Sequence, residues 1–99
     1  MNLDDLRKRI DEINAEIIAL LSKRLAITAQ IAKVKKEQGL PVFDPAREAE
    51  QRTRLHELAK KQGLSPSVIE EMFNLFVDYS KTQMNVEMGH AEKNRLPRD

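Results

Sequence analysis

Arg24 interrupts an apolar row. Leu3, Leu6, Ile10, Ile13, Ile17 and Leu20 recur at alternating three- and four-residue steps, and Ile27, Ile31 and Val34 resume the pattern. That spacing is one stripe of an amphipathic helix. The stripe position after Leu20 is 24, and it holds an arginine. A guanidinium among apolar neighbours needs an anionic partner, because burying a charge unpaired is costly. Lys35 follows eleven residues later, close to three turns, so it points the same way about 16 Å along the axis. Thr28 lies between them in the same row. Two cations facing one way can hold a small dianion between them. The competing reading is structural: Arg24 pairs with a buried carboxylate and Lys35 is a solvated surface lysine.

Three further groups of polar residues sit where chemistry is possible. Asp44, Arg47 and Glu48 follow a short loop. Asp44 suits the cap of a new helix, and Glu48 lies one turn on, on the same face, where it can accept a hydrogen bond from a bound hydroxyl or favour the helix dipole. In the last third, the stripe Ile69, Phe73, Phe76 runs into Ser80 and then Gln83 or Met84. A serine and a glutamine entering an apolar face need partners, and a back-bond of Ser80 to its own helix is the simplest. Met84 also reads as a core residue. Arg7 is 17 residues before Arg24, about 25 Å along the axis and roughly 100° around it. It is either a surface arginine or a residue that meets the Arg24 face of an antiparallel second copy.

Three helices account for the elements that position these residues. The first is expected from Leu3 to Gln38, with Gly39 as its stop and Pro41 preventing continuation. Its length, about 50 Å, exceeds what a compact domain of this size spans. Asp44-Pro45 reads as an N-cap followed by proline at the first helical position, opening a second helix to about Gln62, where Gly63 ends it. Ser65-Pro66 repeats that signature and opens the third, which fades near Gly89. Residues 1–89 are expected to form one all-α domain, and residues 90–99 a polar, disordered tail. The second helix offers little apolar surface, so the first cannot bury its whole stripe within one chain. An intertwined helical homodimer is the simplest closed solution.

Composition excludes several classes. With 17 Lys and Arg against 16 Asp and Glu, the net charge is +1, and there is no Trp, so neither a basic field nor a stacking surface argues for nucleic acid. The absence of Cys removes disulfides, thiol nucleophiles and thiolate metal sites. His56 and His90 are far apart and read as surface histidines. No apolar run approaches the roughly 20 residues of a membrane span, and Met1–Arg9 does not read as a signal peptide. A cytoplasmic protein without a membrane partner is expected.

The segments LRKRIDEIN, KRLAITAQIAKVK and LPVFDPAREAE resemble the helical chorismate mutases of the AroQ class, over about residues 3–84. The most specific part is Arg24, eleven residues to Lys35, nine to Asp44, then Arg47-Glu48. The resemblance implies an isomerase that converts chorismate to prephenate in aromatic amino-acid biosynthesis, as two interlocked three-helix chains with two sites and no metal or organic cofactor. It implies that Arg24 holds one substrate carboxylate, and Arg7 of the other subunit the second. Lys35 would donate to the ether oxygen, and Glu48 with the Asp44 backbone would bind the ring hydroxyl. Arg47 would orient Glu48 and brace the loop, and Ser80 would support a carboxylate. These members usually carry a glutamine or glutamate four residues after the serine position, also on the ether oxygen. Here that place holds Met84, which donates no hydrogen bond. A one-residue shift near Gly63 brings Gln83 into the site and exchanges Ser80 for Tyr79. Because the ether oxygen otherwise loses a donor, Gln83 is the expected residue.

Two other functions compete. Isochorismate–pyruvate lyases share the fold and its cationic pocket but typically lack the acid that Glu48 supplies. A non-catalytic dimerisation or regulatory module is the other, although leucine at position 24 would serve a pure scaffold better than arginine.

Overall fold

A computed structural model describes residues 1–87, with side chains to residue 83; the tail expected at 90–99 lies outside the described residues. Three α-helices follow in order: α1, Leu3–Gln38; α2, Pro45–Lys61; α3, Pro66–Glu87. The all-α expectation is met.

The helix ends follow local chemistry. At the start of α1, Asn2 and Asp5 form a reciprocal capping box, with the Asp5 N–H donating to Asn2 Oδ1 at 2.8 Å. Gly39 ends it in the left-handed conformation, φ 66°, which a residue with a Cβ seldom adopts. Asp44 caps α2, its Oδ1 accepting from the Arg47 N–H at 3.1 Å, with Pro45 at the first helical position. Ser65 plays the same part for α3 through the Val68 N–H.

The three helices make an elongated body of 55 × 30 × 20 Å. Its radius of gyration is 16.5 Å, against about 13 Å for a compact chain of this length. α3 packs on both α1 and α2, while α1 and α2 do not pack on each other. A His56–Glu70 contact of 3.3 Å also joins α2 to α3. The interior is small: among the described residues, Ala32, Ala59 and Ser80 are the buried ones. The α1 stripe from Leu3 to Val34 stays 46–62% exposed at its nine apolar positions, so neither α2 nor α3 covers it.

Candidate active site

α1 places Arg24, Thr28 and Lys35 on one wall of a cavity of about 280 Å³. The loop and first turn of α2 add Val42, Phe43, Asp44, Arg47 and Glu48; α3 adds Val77, Ser80 and Lys81. The polar exceptions of the sequence therefore converge, with Arg7 and Gln83 left out.

Arg24 is half-buried, and its guanidinium lies over the Phe76 ring, 5.6 Å from the centroid. Burial pushes its pKa below the ordinary arginine value by desolvating the cation. Among the described residues the carboxylates that form ion pairs do so with Arg47, Arg54, His56 and Lys81, and none with Arg24. The buried-carboxylate alternative is thus not what the structure shows. Arg24 is a cation whose cost of burial an incoming anion would relieve. Thr28 donates its hydroxyl to the Arg24 carbonyl at 3.0 Å, a local back-bond.

Lys35 is half-buried rather than solvated, and its Nζ donates to the Val42 carbonyl at 2.6 Å. An ammonium has three donors, so two remain for a ligand. That bond also ties the end of α1 to the loop. Asp44 combines two functions: it caps α2 and lines the cavity.

Glu48 does not meet Arg47. Lys81 Nζ lies 2.5 Å from Glu48 Oε1, whereas Arg47 Nη1 lies 2.9 Å from Glu50 Oε1, which Arg54 Nη2 shares at 2.8 Å. Arg47 and Glu50 are neighbours at i and i+3 on an exposed face, a nearer partner than a residue one position along. In the single chain the cation on Glu48 is therefore Lys81 rather than the Arg47 expected there.

α3 settles its own phase. Ser80 is buried against the cavity, donating its hydroxyl to the Phe76 carbonyl at 2.9 Å. Tyr79 faces a separate apolar groove with Ile17, Leu21 and Met72. Val77, Ser80 and Lys81 fix the cavity-facing direction of the helix, and Gln83 lies about 110° away from its centre. In the single chain Ser80 rather than Tyr79 lines the cavity, and Gln83 is absent from its lining. Position 84 is one turn beyond Ser80, in register with that face; the Met84 side chain lies outside those described.

Comparison with known proteins matches residues 6–85 to the family model "Chorismate mutase type II". The chain belongs to the chorismate mutase type II family. It is 29% identical to the chorismate mutase of Methanocaldococcus jannaschii over 79 residues, 80% of either chain. It is 37% identical to the T-protein of Haemophilus influenzae over 84% of this chain. It is 30% identical to the bifunctional chorismate mutase/prephenate dehydratase of Escherichia coli over 89% of this chain. The chain spans only 22% and 23% of the latter two. The AroQ resemblance and the all-α expectation agree with this family.

Arg7 stands apart from the residues that line the cavity. It is exposed near the start of α1 and absent from the cavity lining. Lys81 and Phe43 are among the lining residues that periodicity did not single out, with Val42, Gln51 and Val77. The ammonium of Lys81 stands 4.9 Å above the Phe43 ring, a contact between α3 and the loop. Its only advance signal was adjacency to Ser80. Among the described residues no cluster of His, Asp and Glu can hold a metal ion, and no helix is long and apolar enough to cross a membrane.

Proposed function

We propose that this chain is a chorismate mutase, an isomerase that rearranges chorismate to prephenate in aromatic amino-acid biosynthesis, acting in the cytoplasm as a homodimer without a cofactor. The observation that carries the reading is Arg24: a desolvated guanidinium with no carboxylate partner among the described residues, facing a cavity it shares with Lys35 and Glu48.

The reaction is an intramolecular Claisen rearrangement of a dianion. One C–O bond of the ether breaks while one C–C bond forms, in a single cyclic redistribution of electrons. It needs no nucleophile and no proton transfer. It needs a flexible substrate held in its compact conformer, and donors at the ether oxygen, where negative charge grows. Arg24 holds one carboxylate. Lys35, with two free donors, reaches the ether oxygen. Glu48 Oε2 and the Asp44 backbone take the ring hydroxyl. Ser80 reaches a carboxylate by turning its hydroxyl proton away from Phe76. Position 84 lies on the cavity side of α3, and methionine there leaves the ether oxygen to Lys35.

The dimer supplies the second carboxylate clamp. The exposed stripe on α1 and the apolar groove beside Ile17, Phe73 and Phe76 form one surface without a cover in the single chain. A second copy, antiparallel along α1, covers it and carries its Arg7 to the cavity. Glu48 on the cavity wall favours the mutase over the lyase reading. Incubation with chorismate and separately with isochorismate tests this. The proposal expects prephenate from the first and no pyruvate from the second; the reverse pattern refutes it.

A further inference from the structure

We propose that Lys81 is the positioning residue of the site, acting through Glu48; the inference rests on the mutase reading. The reaction scheme leaves two cations of the cavity lining unused, Arg47 and Lys81, and of the two it is Lys81 that meets Glu48. Its Nζ is 2.5 Å from Glu48 Oε1, both side chains being 30% exposed, and it stands 4.9 Å above the Phe43 ring. One ammonium therefore joins α3, the loop and the first turn of α2. The neighbour that sequence favours for this task, Arg47, is held by Glu50.

Two consequences follow. A carboxylate free to rotate presents its hydroxyl-binding oxygen in several directions; a short charge-assisted bond on Oε1, with an aromatic ring beneath the ammonium, selects one and leaves Oε2 to accept. The ammonium also balances the Glu48 charge inside a cavity that must admit a dianion. Without Lys81, Glu48 becomes an uncompensated negative charge beside an anionic ligand, and like charges brought together weaken binding. Lys35 and Lys81 both grip the loop, one at the Val42 carbonyl and one at the Phe43 ring. The ring hydroxyl is held equally in ground and transition states, so the effect falls on KM rather than kcat.

The test is steady-state chorismate turnover by the full chain and its Lys81→Met, Lys81→Arg, Glu48→Gln and Lys81→Met/Glu48→Gln variants, with circular dichroism to show that each is helical. Lys81→Met should raise KM about tenfold, the scale of a lost hydrogen bond to a charged group, with kcat within about threefold. Lys81→Arg should restore most of the loss. In the Glu48→Gln background, Lys81→Met should raise KM less than about twofold, because its route through Glu48 is already cut. A KM unmoved by Lys81→Met in an active protein overturns this inference alone. So does an undiminished loss in the Glu48→Gln background, which would make Lys81 a direct substrate contact. A parent protein that leaves chorismate unchanged overturns the mutase reading and the inference with it.

Discussion

Replacing Ile10 and Ile17 together by glutamate should separate the proposed dimer. Both residues lie in the uncovered stripe, 57% and 48% exposed in the single chain. Fully burying an isoleucine contributes about 1.5–3 kcal/mol, so covering the exposed half of one contributes roughly 1 kcal/mol. Two such residues on each of two chains withdraw about 4 kcal/mol of association energy. Placing four carboxylates in apolar surroundings adds a further penalty. The dissociation constant should therefore rise at least about 10³-fold. Sedimentation velocity over a dilution series measures this, with chorismate turnover read on the same samples. The parent should sediment as a dimer and melt at higher temperature as its concentration rises. The variant should be monomeric and inactive at concentrations where the parent is neither, because Arg7 of the second copy no longer reaches the cavity. A variant as active as the parent, or a parent active as a monomer, refutes the reasoning.

Other substitutions probe the cavity. Arg24→Leu should cut turnover at least about 10²-fold while raising the melting temperature by a few degrees, since it removes a desolvated cation that has no carboxylate partner among the described residues; a destabilised variant would contradict that account of Arg24. Lys35→Ala should also cost at least about 10²-fold in kcat, and an activity within a few-fold of the parent would remove it from the chemistry. Mixing inactive Arg7→Ala and Lys35→Ala chains should regain activity, because both defects fall in one site of the heterodimer and leave the other intact; no recovery after proven subunit exchange would place Arg7 elsewhere. Gln83→Leu should change turnover little, and Met84→Gln should raise kcat about tenfold or more by adding a donor at the ether oxygen. The opposite pair of results would show that the α3 phase at the cavity is not the catalytic one.

The parts of this account legible in the sequence are those governed by local rules. Gly39, Gly63, Asp44-Pro45 and Ser65-Pro66 announce helix ends through φ preferences and capping chemistry, and the ends of α1, α2 and the start of α3 fall there within a residue. Arg24 and Lys35 share a face by periodicity alone, and they line one cavity. What the sequence left open depends on how helices cross. The choice between Gln83 and position 84 turns on 100° of rotation per residue, and only the packing of Ser80 against the cavity selects the phase. Lys81 reaches Glu48 across 33 residues of chain, a contact that no local spacing encodes. Arg47 lies next to Glu48 in sequence, yet adjacent helical residues point apart, and Glu50 receives its guanidinium.

The most direct measurement is the ultraviolet absorbance of chorismate after the purified protein is added, in buffer containing EDTA and no added cofactor, with the product identified by chromatography. The account predicts that the absorbance falls at a rate proportional to protein, that prephenate accumulates in equal amount, and that Arg24→Leu abolishes the change. Chorismate that persists at the uncatalysed rate with the folded protein, or a decay that Arg24→Leu leaves intact, contradicts it.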